Sequence, residues 1–154
     1  MYLVSACLLG IKTRYDGKAK LLPGSPVLPL NMLIPVCPEQ LGGLSTPRLP
    51  AEIIGGGGKE VLTGKARVTD CKGKDVTDFY LKGARETLYI ALLYGIKGAF
   101  LKDGSPSCGC SYIYDGSFSG EKISGLGVTA ALLQEHGFAI YNEKGLLEPG
   151  KPCN

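Results

Sequence analysis

The chain has 154 residues, of which 44% are hydrophobic, so it can bury one sizeable core and we expect a single domain over residues 1–154. Its 17 basic and 14 acidic residues give a formal net charge of +3 and include no long run of like charges, so charge does not indicate nucleic-acid binding. No apolar run approaches the roughly 20 residues that span a bilayer, which argues against a membrane protein.

The start of the chain, MYLVSACLLG, is apolar but lacks the basic segment and the cleavage site of a signal peptide, so we expect a cytoplasmic protein. Thiols stay reduced in that compartment. Its cysteines are therefore candidates for metal binding or catalysis rather than for disulfides. They are Cys7, Cys37, Cys71, Cys108, Cys110 and Cys153.

The first half of the chain holds two short β-rich runs, residues 2–6 and 33–36, which end at Cys7 and Cys37. Residues 40–76 differ, because they are rich in glycine and proline and hold only short β-prone pieces. We predict that they form an excursion with one or two small hairpins.

Helical and strand patterns alternate in the second half of the chain. In chain order, the predicted elements are a helix from Thr77 or Asp78 to Gly95, a strand over 99–101, a helix that begins at Ser124 or Gly127 and stops at Gly137, and a strand over 138–141. Parallel neighbours need crossover connections, so this alternation predicts an α/β fold with a mostly parallel sheet and helices on its faces. The remaining tail, NEKGLLEPGKPCN, shows no clear pattern.

Three of the cysteines follow the carboxyl ends of predicted strands. Cys7 and Cys37 stop the first two strands, and Cys108 lies in a short loop after the third. In a parallel sheet these ends share one edge, which is where open α/β folds bind ligands. Backbone N–H groups of the element that follows would also favour a thiolate there. We therefore expect three converging, activated thiols.

The other cysteines and the single histidine give weaker signals. Cys71 and Cys153 lack the strand-end placement and are expected to be incidental, whereas Cys110 could supply a second ligand or a resolving thiol. His136 ends a predicted helix, so we expect it to face solvent and not to act as a ligand or base.

Three thiolates without a fourth protein ligand suit two kinds of metal centre. A zinc ion with three ligands keeps a position open for water, and an iron–sulfur cube held by three cysteines leaves one iron without a protein ligand. Catalytic zinc usually recruits histidine, so an all-thiolate set favours iron–sulfur.

Acid–base chemistry then falls to a carboxylate. Glu39 follows Cys37 by two residues, and a carboxylate beside a metal in a crevice can act as a general acid or base, although it could equally cap a turn. Ser105 and Ser107 flank Pro106 beside Cys108, where a hydroxyl could orient water or hold an oxyanion, or simply shape the turn.

Several motifs in order resemble the family of 2-thiouracil desulfidases over residues 2–142. They are SACLLG, RYDG, CPEQLGGLSTPRLPAE, DGSPSCG, IYDGSFSG and GVTAALLQEHG. The resemblance implies a Rossmann-like, three-layer α/β fold with an oxygen-sensitive 4Fe-4S cluster. Its three cluster ligands would be Cys7, Cys37 and Cys108, and its catalytic residues Glu39 and Ser105.

One position departs from the family, which often has a cysteine just before RYDG where this chain has Thr13. A fourth thiolate from that position is therefore impossible here. This difference favours a cluster with three protein ligands and one open iron.

The activity implied is the non-redox conversion of a thiolated pyrimidine such as 2-thiouracil, as a base or nucleoside, to uracil and sulfide. The open iron would polarise the thiocarbonyl group, Glu39 would deprotonate water, and Ser105 would orient the water or the tetrahedral intermediate. Further polar or aromatic residues could contact substrate or merely shape turns: Arg14, Tyr15, Asp16, Arg48, Tyr114 and Asp115.

Two other functions compete with this one. A cluster-dependent sulfur carrier or insertion protein would usually need a nucleotide, and the chain has no phosphate-binding loop, since GGGGKE at 55–60 lacks the required spacing. A non-enzymatic zinc or iron–sulfur domain is the second, although structural zinc normally shows four ligands in paired knuckles. Nothing in the sequence indicates an oligomeric state.

Overall fold

A computed structural model describes residues 1–148 and 150–153, and over these residues the chain forms eight strands and four α-helices. In chain order the elements are β1 (Tyr2–Ser5), β2 (Leu33–Val36), α1 (Pro38–Leu41), β3 (Ala51–Ile54), α2 (Gly58–Leu62), β4 (Arg67–Asp70), α3 (Thr77–Leu93), β5 (Gly98–Leu101), β6 (Tyr112–Tyr114), β7 (Lys122–Ser124), α4 (Val128–Glu135) and β8 (Ala139–Asn142). Three short 3-10 turns cover Ala6–Leu9, Leu30–Met32 and Glu143–Leu146.

The centre of the fold is a four-stranded parallel sheet with the strand order β2-β1-β5-β8. Its two inner strands are apolar along their length: every residue of β5 is buried, as are Leu3 and Val4 of β1. Buried parallel strands read as continuous apolar runs because both faces are covered. The predicted α/β fold with a parallel sheet is confirmed.

The two faces of the sheet are covered differently. On one face, residues of α3 and α4 such as Ala91 and Leu133 pack against Leu3, Ala99 and Leu101 of the inner strands. On the other face, the core is made with 3-10 turns instead of α-helices. Its buried members are Val4, Cys7, Leu8, Leu33, Phe100 and Leu146.

Two antiparallel hairpins lie outside the central sheet. β3 pairs with β4 inside the glycine- and proline-rich segment, as predicted for residues 40–76. β6 pairs with β7, and this second hairpin is not predicted, because its strands have three residues each and a glycine- and serine-rich connection. Ile53 of β3 and Ile113 of β6 share a core with α3, so both hairpins are anchored to the body of the fold.

The helices follow the sequence pattern with small differences at their ends. α3 begins at Thr77 and ends at Leu93, and Gly95 beyond it adopts a positive φ of 56°. α4 begins after Gly127, so the later of the two predicted starts is right and Ser124 belongs to β7 instead. The last strand runs one residue later than predicted, at Ala139–Asn142.

The tail is partly ordered by the core. Leu146 is buried, and Cys153 forms a disulfide with Cys110, the two Cα atoms lying 5.9 Å apart. The expectation that Cys153 is incidental, and that all six thiols stay reduced, is therefore wrong for this pair. The remaining thiols, those of Cys7, Cys37, Cys71 and Cys108, are free. Pro149 and Asn154 of the predicted tail lie outside the described residues.

No helix in the described part of the chain is long and apolar enough to cross a membrane.

A close contact between α1 and α3 fixes the position of the functional loop after β2. A Cβ atom added at Gly83 of α3 would overlap the backbone carbonyl oxygen of Pro38, and one added at Gly42 would overlap the carbonyl oxygen of Phe79. Glycine at these two positions lets the helix backbones touch. As a result α1, which carries Glu39, lies directly on α3.

We expect the Gly83→Ala variant to lose about 2 kcal/mol of unfolding free energy. Alanine favours a helix over glycine by less than about 1 kcal/mol, whereas overpacking costs about 1–3 kcal/mol, and the overlap here is with backbone rather than a flexible side chain. Urea unfolding would measure the difference. The exposed neighbour on the same helix, Lys82, is the control, and Lys82→Ala should change stability by less than about 0.5 kcal/mol. Equal stability of both variants would contradict the close packing.

Candidate active site

The carboxyl ends of β1, β2 and β5 meet at one edge of the sheet, above which lies a cavity of about 400 Å³. All five residues predicted to act there line this one cavity. They are Cys7, Glu39, Cys37, Ser105 and Cys108. The chain therefore brings together side chains that are as far as 101 positions apart in sequence.

Cys7 and Cys37 are positioned by the elements that follow their strands. Cys7 lies in the 3-10 turn after β1, where its carbonyl oxygen accepts hydrogen bonds from the N–H groups of Gly10 at 3.3 Å and Lys20 at 2.8 Å. Cys37 is the N-cap residue of α1, and Leu41 N–H donates to its carbonyl oxygen at 3.0 Å. Both backbones are thus held by turns that begin where the strand ends.

Cys108 is held by a loop that packs directly on the start of α4. The N–H of Val128 donates to the carbonyl oxygen of Pro106 at 2.8 Å, and that of Thr129 to the carbonyl oxygen of Ser107 at 2.9 Å. A Cβ at Gly127 would overlap the Ser107 carbonyl, so only glycine allows this approach. The helix N-terminus, whose N–H groups lack helical partners, is satisfied by the cysteine loop itself.

Asp103 shapes the other end of the same loop. Its buried carboxylate oxygen Oδ1 accepts the N–H of Cys110 at 2.9 Å and that of Ser111 at 2.7 Å. Gly104 follows with a positive φ of 75°, and its N–H donates to the Tyr112 carbonyl at 3.1 Å. This bonding directs Cys110 away from the cavity and towards Cys153.

The three thiols are neutral in the free protein. Burial raises the pKa of Cys7 and of Cys37 to about 11, and it raises the pKa of Cys108 well above its usual value. The negative charge of Glu39 raises all three further. The expectation of pre-activated thiolates is therefore wrong, because desolvation outweighs the backbone N–H groups. A cation that bound here would displace the thiol protons.

Glu39 makes polar contacts with several of the other cavity residues. It is 8% exposed, and both of its carboxylate oxygens accept hydrogen bonds. Oε1 accepts from the Ser105 hydroxyl at 3.1 Å, and Oε2 accepts from the Cys37 thiol at 3.5 Å.

Ser105 has all of its hydrogen-bonding capacity in use. Its oxygen accepts from the N–H groups of Ser107 at 3.1 Å and Cys108 at 3.0 Å while its proton goes to Glu39. A hydroxyl has two lone pairs and one proton, so every lone pair and the proton of Ser105 has a partner. In this structure Ser105 orients Glu39 and the Cys108 loop.

Arg48 is buried beside Glu39 rather than at the surface. Its side chain is 9% exposed, and Nη2 lies 3.8 Å from Glu39 Oε1. Nη1 donates to the Thr13 carbonyl at 3.2 Å, the Ser45 carbonyl at 3.4 Å and the Thr46 hydroxyl at 3.2 Å. Arg48 therefore ties the strand-end loops together and supplies a positive charge next to the carboxylate.

The other predicted contact residues divide into two groups. Arg14, Tyr15 and Tyr114 line the cavity. Asp16 and Asp115 instead hold turns, accepting the N–H groups of residues two positions later at 3.0 and 2.9 Å. They are turn residues rather than cavity residues.

Thr13 also lines the cavity, so a cysteine at its position would have faced the same space as the three thiols. Cys71 and His136 lie at the surface, as expected for residues without a role here.

Four further residues that line the cavity were not singled out from the sequence. Lys102 follows β5 and its Nζ donates to the Asp103 carbonyl at 2.7 Å. Tyr80 of α3 is buried against the cavity, and burial raises the pKa of its hydroxyl. Glu52 of β3 and Phe118 of the β6–β7 connection complete the wall. Of these four residues, only Lys102 could have been found from the sequence, because it directly follows a strand, as the cysteines were found.

The residues present fit an iron–sulfur cluster. The donors are three free thiols from three loops that line one cavity. Across residues 1–148 and 150–153, no three His, Cys, Asp or Glu side chains lie close enough together to hold a single metal ion. A four-iron cluster has its irons at separate corners, so its ligands lie farther apart than those of one ion.

A sequence model described as 2-thiouracil desulfurase matches residues 2–145. The chain belongs to the 2-thiouracil desulfurase family. This match covers every residue that lines the cavity, from Ser5 to Gly120.

Two relatives illustrate the family. The uncharacterized protein YbbK of Bacillus subtilis (strain 168) is 48% identical over 147 residues, which cover 95% of this chain and 97% of YbbK. The solved structure of the 4Fe-4S-dependent thiouracil desulfidase TudS is similar with a TM-score of 0.80 and 41% identity, covering 94% of this chain and 91% of that one. The Rossmann-like α/β architecture is thus shared with a solved member of this group.

We expect the Arg48→Met variant to lose about 2–4 kcal/mol of unfolding free energy, because it leaves the buried carboxylate of Glu39 without its cation and removes the guanidinium hydrogen bonds to three oxygens of the strand-end loops. Urea unfolding would measure the loss. Arg85 is exposed on α3, and Arg85→Met should change stability by less than about 0.5 kcal/mol. The double variant Glu39→Gln with Arg48→Met should recover part of the loss, and strict additivity would contradict the coupling.

Proposed function

We propose that the protein is a 4Fe-4S-dependent desulfidase that converts a thiolated pyrimidine such as 2-thiouracil, with water, to uracil and hydrogen sulfide. The observation that carries this proposal is the shared cavity of three free thiols and one hydrogen-bonded carboxylate. Membership in the family and similarity to TudS, which is named for this cofactor and activity, support it.

Cys7, Cys37 and Cys108 would hold the cluster as thiolates. When bound, the cluster would supply an iron without a protein ligand, a soft Lewis acid that attracts thiocarbonyl sulfur and makes the adjacent carbon electrophilic. Thr13 has no thiol, so it would not supply a fourth protein ligand to this iron.

Glu39 would act as the general base. Its Oε2 accepts the Cys37 thiol proton in the free protein, and that hydrogen bond ends once Cys37 is a thiolate. Oε2 is then free to accept a proton from water as the water oxygen attacks the carbon that bears sulfur. As the carbon–sulfur bond breaks, Glu39 returns this proton to the departing sulfur, which leaves as hydrosulfide. The second water proton is lost from the new hydroxyl group as the carbonyl forms, so no electrons are exchanged.

Ser105 and Arg48 would keep the carboxylate in position while this happens. Both contact Oε1, the Ser105 hydroxyl at 3.1 Å and the Arg48 guanidinium at 3.8 Å. Oε2, which neither of these side chains contacts, would therefore be the oxygen that accepts the proton from water. A base held by fixed partners needs no reorganisation at the moment of reaction.

Sulfide release by anaerobically reconstituted protein tests this function. We expect 2-thiouracil to yield uracil and sulfide in equal amounts, with the Cys108→Ser variant losing both iron and activity. Cys71→Ser is the matched control, because Cys71 is exposed and lies outside the cavity. Four irons without sulfide release would favour the carrier function, and failure to bind iron would favour the zinc or non-enzymatic alternatives.

The Glu39→Gln variant should lower kcat by roughly 100-fold or more, since removal of a general base typically costs 10²–10⁴. Its amide oxygen can still accept from Ser105, so iron content and the visible absorption should stay unchanged. The exposed Glu86 of α3 is the control, and Glu86→Gln should retain wild-type kcat. Full activity of the Glu39→Gln variant would rule out the general-base role.

A further inference from the structure

Phe118 has an unusual backbone for its residue type. It lies in the connection between β6 and β7 with a φ of 58°, and within the described residues every other positive φ belongs to a glycine. A bulky residue in this region is an outlier that persists only when the surrounding structure holds it there, and such residues cluster at active sites. Its position therefore calls for a functional explanation.

Glu52 of β3 holds this backbone in place. One oxygen of its buried carboxylate, Oε2, accepts the N–H of Gly116 at 2.9 Å and the N–H of Phe118 at 3.1 Å. Gly116 has a positive φ of 91°, and a Cβ there would come within 2.5 Å of the carbonyl oxygen of Ile53. The connection thus lies directly on β3, and the Glu52 carboxylate holds its backbone through two hydrogen bonds.

The connection is also ordered by its own side chains. Asp115 Oδ1 accepts the N–H of Ser117 at 2.9 Å and its hydroxyl at 2.6 Å, and the Ser117 and Ser119 hydroxyls lie 2.6 Å apart. These bonds fix the turn on both sides of Phe118, so the backbone position from which its ring extends is already set in the free protein.

The ring of Phe118 contributes nothing to the core. None of the three hydrophobic clusters of the described residues includes it, and it is 37% exposed. Instead it lines the same cavity as Glu39 and the three thiols. The strained backbone and the buried carboxylate therefore serve to place an aromatic face at the reaction cavity.

We propose that Phe118 packs against the face of the substrate's heterocyclic ring, and that Glu52 is the positioning residue that holds Phe118 there. This inference rests on the proposed function, which makes the substrate a planar thiolated heterocycle. Stacking on an aromatic side chain tolerates ring substituents because every base has a π face, so it selects planar rings over acyclic thiocarbonyl compounds.

Fluorescence of the Phe118→Trp variant tests the contact without turnover. The chain contains no tryptophan, so this variant has a single indole. We expect uracil, titrated anaerobically into the cluster-loaded variant, to change the emission saturably. Phe79 of α3 is the matched control, with the same 37% exposure but outside this cavity, and Phe79→Trp should not respond. An unchanged Phe118→Trp emission would overturn the proposal.

The Phe118→Leu variant separates binding from chemistry. It keeps an apolar side chain but removes the aromatic face, so KM for 2-thiouracil should rise roughly fivefold or more with kcat unchanged. Phe79→Leu should match the wild type. A KM equal to that of the wild type would overturn the proposal, whereas a loaded wild type that releases no sulfide would overturn the proposed function. The fluorescence response of Phe118→Trp to uracil reports the contact whether or not the wild type releases sulfide.

Glu52 variants test the positioning role. Glu52→Ala removes the acceptor of both N–H groups, so KM should rise as in Phe118→Leu. Glu52→Gln keeps an amide oxygen that can accept both, so its KM should stay near the wild-type value. A KM that is the same in Glu52→Ala and wild type would overturn the role of Glu52.

Discussion

The hydrogen bond from the Ser105 hydroxyl to Glu39 joins the two halves of the site, and the other contacts depend on it. The hydroxyl oxygen accepts the N–H groups of Ser107 and Cys108, and the hydroxyl proton goes to Glu39. One side chain thereby sets both the loop that presents Cys108 and the direction of the carboxylate. On the far side, contact at Gly83 keeps the helix that carries Glu39 in register with the loop.

The parallel sheet explains why the thiols converge at all. Adjacent strands β2, β1 and β5 end at the same edge, and each is followed at once by a turn or loop that carries a cysteine. Burial keeps these thiols protonated, which is seen in their raised pKa values. The negative charge of the thiolates therefore arises only together with a positively charged partner.

Much of this could be predicted from the sequence, because the relevant signals are local. Strand ends marked by Cys7 and Cys37, and the helix pattern from Thr77, depend on neighbouring residues and proved correct in the structure. The position of Arg48 beside Glu39, and the place of Phe118 in the cavity wall, could not be predicted in the same way, since their environments come from segments far away in the chain. The pairing of Cys110 with Cys153 was missed for that reason as well.

The most direct test of the central claim is the anomalous iron signal of a crystal grown anaerobically from reconstituted protein. We expect four iron positions in the cavity at the carboxyl edge of the sheet, bound by Cys7, Cys37 and Cys108, with one iron free of protein ligands and Glu39 beside it. A single metal ion, or iron bound elsewhere in the fold, would contradict it.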